Sequence, residues 1–169
     1  MNKGIEHHSI HSLKFISIDS AGIRFECNLN KIQVMTDNLK KEQRSYIMSK
    51  IKGKNTKPEL LVRRFLFAKD FRFRIHDKRY PGKPDIVLPK YKTVIFVNGC
   101  FWHGHQEGNC FALPKSNVDF WNAKITGNIK KDILNQIKLK ELGFKVIVVW
   151  ECQLKESDAL ENLVLKIKA

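Results

Sequence analysis

The sequence predicts an α/β protein with a small mixed β-sheet flanked by helices, and three observations predict it. Apolar runs at 84–88 (PDIVL), 93–97 (TVIFV) and 145–150 (KVIVVW) have the length and β-branched content of strands. A capped segment with an apolar stripe precedes them, and a long helical segment separates the last two. The order helix, strand, hairpin, helix, strand then describes an α/β sandwich.

Taken in order, residues 1–34 differ from the rest of the chain: "SLKFISIDSAGIRFECNLNKIQV" alternates weakly and suits a small hairpin turning at Ala21-Gly22. Met35 reads like a natural start, which makes 1–34 an appendage or an upstream start, and 35–169 the functional domain. From Asp37 to Lys52, charges alternate with Leu39, Tyr46, Ile47, Met48 and Ile51, predicting a short amphipathic helix that ends in the basic loop "KGKNTK". Thr56 with Glu59 forms a capping box, Pro58 sits in the first turn, and "LLVRRFLF" supplies a buried stripe. "FRFRI" (71–75) alternates as a strand. Pro89-Lys90-Tyr91-Lys92 joins the next two as a hairpin, and a turn centred on Tyr91 sets Asp85 across from Val97. Between Val118 and Leu142, Ile125, Ile129, Ile133 and Ile137 mark a helix, and Gly143 stops it.

A chain of 169 residues suits one domain with a real core, and no apolar run approaches a membrane span. "MNKGIEHHSIHSLKF" lacks the apolar core of a signal peptide, which points to the reducing cytoplasm and leaves four cysteines needing another use than disulfides. The net charge of +14 is the strongest compositional fact. Residues 35–100 carry 17 Lys or Arg against six Asp or Glu, and nucleic acid is the partner that such a surface fits.

Cys100, His105 and Cys110 are spaced C-x4-H-x4-C, and Cys152 follows 42 positions later, just past the last strand. Three thiolates and one imidazole fill a tetrahedral zinc site completely, so such a metal is structural, and Gly99, Gly104 and Gly108 give the loop room to bend. Asp85, at a strand start opposite the strand that ends at Val97, has the layout of metal-dependent nucleases, in which a carboxylate and a backbone carbonyl hold Mg²⁺ at the scissile phosphate. With His105 assigned to zinc, His103 is free to act as a general base. Asp132 shares the face of Ile125 and Ile129, where an acid needs a partner such as a histidine; a solvated acid beside Lys130 and Lys131 is the alternative. Phe101 and Trp102 sit beside the predicted ligands on a tight loop; rings held rigidly at a basic surface can wedge into a base stack, and Trp121 could join them.

These segments together resemble the very short patch repair (Vsr) endonucleases, bacterial enzymes that nick DNA beside a T:G mismatch left by deamination of 5-methylcytosine. The resemblance runs from Met35 to Leu154 through "EQRSYIMSKIKGKNTKPE", "PGKPDIVLPKYKTVIFVNGCFWHGH", "FWNAKITGNIKKD" and "LGFKVIVVWEC". It implies a restriction-endonuclease-like core. It also implies two catalytic Mg²⁺ ions at Asp85 and the Val97 carbonyl, a catalytic pair His103 and Asp132, and Glu59 near the metal-bound waters. One structural Zn²⁺ falls to Cys100, His105, Cys110 and Cys152. Phe101, Trp102 and Trp121 match rings that enter mismatched double-stranded DNA, and Met48 matches a wedge from the other groove. The implied partners are DNA, a cytosine methyltransferase system and mismatch-repair helpers, and the implied protein is a monomer of the bacterial cytoplasm. Val97 and Asn98 depart from the family, whose characterised members carry a threonine and a second catalytic histidine there. Asn98 can hydrogen-bond a phosphate or water but cannot protonate a leaving group. A related nuclease of a restriction-modification system, and a binding module without cleavage, are the alternatives.

Overall fold

The computed structural model describes residues 40–107 and 109–169, together with the strands Lys14–Ile18 (β1), Arg24–Asn28 (β2) and Gln33–Met35 (β3). Asp37, Leu39, Gly108 and the Ala21-Gly22 turn lie outside the described residues. β1 and β2 pair antiparallel, with Lys14 opposite Asn28, where the weak alternation suggests a hairpin. They fall in a compact unit of residues 1–32, and residues 33–169 form a second.

In the second unit, α1 (Lys41–Lys50) is shorter than expected and buries no stripe. Tyr46, Ile47, Met48 and Ile51 are all exposed, which corrects the amphipathic reading. Three consecutive apolar residues, each turned about 100° from the last, spread around a helix instead of lining one face. α2 (Lys57–Ala68) starts as its sequence dictates: the Glu59 N–H donates to Thr56 Oγ1 at 3.4 Å, and Glu59 Oε1 accepts from the Thr56 N–H at 3.4 Å. Its end is not legible in the sequence. Asp70 takes the left-handed position (φ 63°) that glycine usually fills, and the Phe71 N–H closes onto the Leu66 carbonyl at 3.0 Å. Phe71 is thereby spent on capping, so strand β4 contains only Arg74–Ile75 instead of residues 71–75.

β5 (Ile86–Leu88) pairs antiparallel with β4 and with β6 (Thr93–Asn98). The hairpin register is Ile86 with Ile95 and Leu88 with Thr93, one residue tighter than a turn centred on Tyr91 would set. The turn is a 3₁₀ segment, Pro89–Tyr91, completed by Lys92 at φ 44°, and it centres between Lys90 and Tyr91. A short strand that the sequence pattern does not announce, β7 (Ala112–Pro114), pairs in parallel with β3. The chain then runs through α3 (Val118–Glu141) to β8 (Lys145–Trp150), which lies parallel to β6, so the four-stranded sheet is mixed with order β4-β5-β6-β8.

Alternation along the strands assigns two faces. Ile86, Leu88, Ile95, Val97, Ile147 and Val149 pack against Val62 and Leu66 of α2 and against Leu163, Val164 and Ile167 of α4 (Ala159–Lys168). Val87 and Val94 pack on the opposite face against Leu139 of α3. Helix α4 is an addition to the expected elements, although Leu160, Leu163, Val164 and Ile167 carry the i, i+3, i+4, i+7 spacing that predicts one. In α3 the four-residue isoleucine spacing overshoots the helical repeat by about 40° per step, so the stripe walks off the core: Ile125 is buried and Ile133 is exposed. Among the described residues, no helix is long and apolar enough to cross a membrane.

Leu66 is fully enclosed between α2 and the sheet. Leu66→Ala should cost about 2–5 kcal/mol in urea unfolding at unchanged m-value.

Candidate active site

The end of β6 feeds a loop that carries most of the predicted site. The loop coils on itself: the His103 N–H donates to the Gly99 carbonyl at 3.2 Å and the His105 N–H to the Cys100 carbonyl at 3.0 Å. Of the two described glycines expected to bend it, Gly104 is the one whose backbone requires glycine, at φ 61°. A Cβ there would also stand 2.7 Å from Ile129 Cδ1 and 3.0 Å from Ile125 Cγ2, so the loop presses directly on α3. Gly99 lies outside the left-handed region.

Three sulfurs converge on one nitrogen. His105 Nδ1 stands 3.7 Å from Cys100 Sγ, 2.9 Å from Cys110 Sγ and 3.4 Å from Cys152 Sγ, and the four ligand atoms lie within 4.8 Å of one another. Tetrahedral zinc places sulfur and nitrogen about 3.5 Å apart, so the donor set fits the ion in kind and in spacing. The His105 ring stacks on Trp150 with centroids 4.1 Å apart, and the Cys100 N–H donates to Glu151 at 2.8 Å, so β8 braces the cluster. Burial pushes the Cys100 thiol up to about 12, raises the Cys152 thiol, and lowers His105. These shifts favour the neutral forms of Cys100, Cys152 and His105; a bound cation would draw the thiols toward thiolate.

One turn earlier, His103 Nδ1 meets Asp132 Oδ2 at 2.6 Å, both groups half-buried. The acid on the isoleucine face therefore has its histidine, and the Nδ1–H bond leaves His103 Nε2 with the lone pair. Asn128, one turn before Asp132, donates to the Trp102 carbonyl at 2.9 Å and fixes the loop's height on the helix. Phe101, Trp102 and Trp121 form one half-buried aromatic cluster: Phe101 lies 5.1 Å from Trp102 and 5.3 Å from Trp121, edge to face.

On the other side of β6, Asp85 Oδ2 accepts the Val97 N–H at 2.8 Å, so the two residues meet through a side chain, not across the ladder. Burial raises the Asp85 carboxyl, the Val97 N–H opposing it and the nearby Glu59 charge adding to it. Glu59 is both cap and site residue. Its Oε2 accepts from the Asn55 N–H at 3.0 Å and from Arg63 at 2.6 Å, while Oε1 accepts the Thr56 hydroxyl at 2.9 Å. Asn98 is buried at the strand end, and Met48 stands exposed on α1. Two further residues join the site without having been expected from the sequence. His76 lies between the carboxylates, 3.6 Å from Glu59 Oε2 and 3.7 Å from Asp85 Oδ1, and with them it makes a second group able to hold a metal. Arg63 is buried against all of them, bonded to Asn55, Glu59 and His76. The one signal for His76 is its place nine residues before Asp85, in a segment that otherwise reads as a strand end.

Comparison with known proteins gives the family. The family model described as DNA mismatch endonuclease Vsr matches residues 36–109. The Type II nicking enzyme V.NmeAIP of Neisseria meningitidis serogroup A is 56% identical over 138 residues, covering 79% of this chain and 98% of that protein. V.XorIIP of Xanthomonas oryzae pv. oryzae, also a Type II nicking enzyme, is 46% identical over 129 residues, 75% of this chain and 93% of its own. The chain belongs to the Vsr family. The DNA mismatch endonuclease Vsr of Escherichia coli is 37% identical over 131 residues, 78% of this chain and 83% of its own. This Vsr-family chain is thus a DNA endonuclease, a hydrolase of phosphodiester bonds, and the alternative of a binding module without cleavage falls away.

The raised Asp85 carboxyl has a consequence for stability. A raised folded-state value favours the protonated acid, so its contribution is present below the ordinary carboxylate range and is lost as pH rises through the raised value. At neutral pH the buried carboxylate therefore costs stability. Asp85→Asn should raise the midpoint of thermal unfolding in EDTA by about 2–4 °C, the shift that roughly 1 kcal/mol makes at this chain length. The gain should shrink when a divalent cation is added, and it should vanish at a pH below the ordinary carboxylate range.

Proposed function

We propose that this endonuclease nicks one strand of double-stranded DNA beside a T:G mismatch, in an Mg²⁺-dependent reaction that repairs deaminated 5-methylcytosine. The observation that carries it is the single loop whose His103 pairs with Asp132 of α3 at 2.6 Å and whose Phe101 and Trp102 join Trp121 in a half-buried aromatic cluster. One element can then deliver both a proton acceptor and a wedge to the same DNA step. The restriction-endonuclease-like reading of the core is supported by helices on both faces of a mixed sheet, with Glu59 on a helix and Asp85 at a strand start.

In this reading Asp85 and the Val97 carbonyl would hold Mg²⁺, two ions in all, which would supply positive charge at the phosphate and favour deprotonation of the attacking water. Asp85 fits the role because its buried carboxylate has one backbone donor and gains from a cation. His103 Nε2 takes the proton of the attacking water as its oxygen bonds to phosphorus and the ester oxygen leaves. Asp132 holds the Nδ1–H, fixes the tautomer and stabilises the imidazolium that forms. Glu59 orients water near the cation, Asn98 contacts phosphate or water, and Phe101, Trp102 and Trp121 enter the opened stack while Met48 wedges from the other groove. Zn²⁺ is held by Cys100, His105, Cys110 and Cys152 and keeps these groups in register. Residues 35–169 carry the activity. The protein acts as a monomer in the bacterial cytoplasm, at the nucleoid, alongside mismatch-repair helpers. The names of its nicking-enzyme relatives favour service beside a type II restriction-modification system, whose cytosine methyltransferase would make the 5-methylcytosine that deaminates to the lesion.

Labelled duplexes carrying T:G, other mismatches or none, with Mg²⁺ or EDTA, test the specificity. One nick beside T:G, absent in EDTA, is expected; equal cutting of all duplexes would sink it. Asp132→Asn should lower the nicking rate about 10²–10⁴-fold while duplex binding is kept. For the zinc site, Cys152→Ser should weaken Zn²⁺ retention against a chelator by more than about tenfold, since even the partners behind a metal ligand are worth that much.

A further inference from the structure

His76 has a place in this site that neither the capping of α2 nor the sheet explains. Its side chain is mostly enclosed, and its backbone is left-handed at φ 46°. Nε2 lies 3.0 Å from Arg63, and since a guanidinium only donates, Nε2 accepts and the ring proton sits on Nδ1, facing Asp85. The 3.7 Å gap from Nδ1 to Asp85 Oδ1 is too wide for a hydrogen bond. It lies between the two spacings that ligands of one octahedral ion take, so a small shift of either side chain brings both onto a shared cation. Two donors each about 2.1–2.2 Å from one ion stand about 3.0 Å apart at a right angle and about 4.3 Å apart across it.

We propose that His76 is a ligand of the divalent ion held at Asp85, and that it gives this endonuclease a mixed nitrogen and oxygen site holding Mn²⁺ more tightly than Mg²⁺. The proposal rests on the reading of Asp85 as the ion's carboxylate. Its support lies one residue further back. Glu59 Oε2 stands 3.6 Å from His76 Nε2, so a small turn of the ring brings the second nitrogen of a metal-bound imidazole within reach of the carboxylate it would donate to. Glu59 is suited to that supporting part, because its oxygens are already engaged by Thr56, Asn55 and Arg63. On loading, the imidazole stays neutral: the proton leaves Nδ1, Nε2 gains one and turns to Glu59, and Arg63 keeps its 2.6 Å bond to Glu59. An imidazole among the ligands favours Mn²⁺, since Mg²⁺ takes oxygen and keeps its waters.

The test uses the zinc-loaded full chain with Mn²⁺, with and without duplex DNA, read by electron spin echo envelope modulation. The wild type should show the ¹⁴N coupling of a directly bound imidazole, and so should His103→Gln. His76→Gln should lose that coupling and bind Mn²⁺ at least about tenfold more weakly, with Mg²⁺ affinity by competition changed less than about threefold. Mn²⁺ that depends on Asp85 but shows no ¹⁴N coupling in the wild type, or coupling that survives His76→Gln, overturns the role of His76. If Asp85→Asn leaves Mn²⁺ binding unchanged, the reading of Asp85 falls first and this one with it. The wild-type spectrum needs no variant to fold.

Discussion

The contact of Gly104 with α3 is the constraint on which the rest of the site depends. With no side chain at that position, the loop after β6 lies against Ile125 and Ile129, and the distance between loop and helix is set by the Gly104 backbone against those two side chains. At that height His103 reaches Asp132, Asn128 reaches the Trp102 carbonyl, and Trp121 reaches the rings of Phe101 and Trp102. Any side chain would lift the loop and lengthen all of these at once. The cysteine and histidine cluster then ties the far end of the same loop to β8, so helix and strand fix it from opposite sides.

The second half of the site is built on the opposite physics, charge in place of close packing. Arg63 and Glu59 are both buried, an arrangement that is costly unless each finds partners. Most groups do: the pair is joined at 2.6 Å, and Asn55, Thr56 and His76 engage the carboxylate and the two guanidinium tips, while Arg63 Nε is buried without a partner. Asp85 is the member with the least support, and its raised carboxyl is the electrostatic mark of that. A structural ion pair thus stands beside an acid left short of positive charge, which is how a fold prepares a cation site without collapsing it.

Much of this is written in local pattern. The Thr56–Glu59 cap, the strands around 86–98 and 145–150, and the stop at Gly143 follow from spacing and turn chemistry, and the structure has them. The acid at 132 announces a partner by standing on an apolar face, and the partner is present. What escapes local pattern is set by tertiary choice. Asp70 ends a helix where glycine is expected, the hairpin closes one residue tighter, and His76 enters the site by a fold that brings it to residues 17 positions earlier and nine later. The C-terminal helix is a different case, since its stripe is fully legible in residues 160–167.

Helix α1 has a thermodynamic position of its own. Its described side chains are all exposed, so no tertiary burial supports it, and an isolated helix of ten residues is marginal in water. Its helical population is therefore a variable that an outside surface can set. A partner that covered Tyr46, Ile47 and Met48 would divide the free energy of that contact between binding and completing the helix, so affinity and local order would rise together.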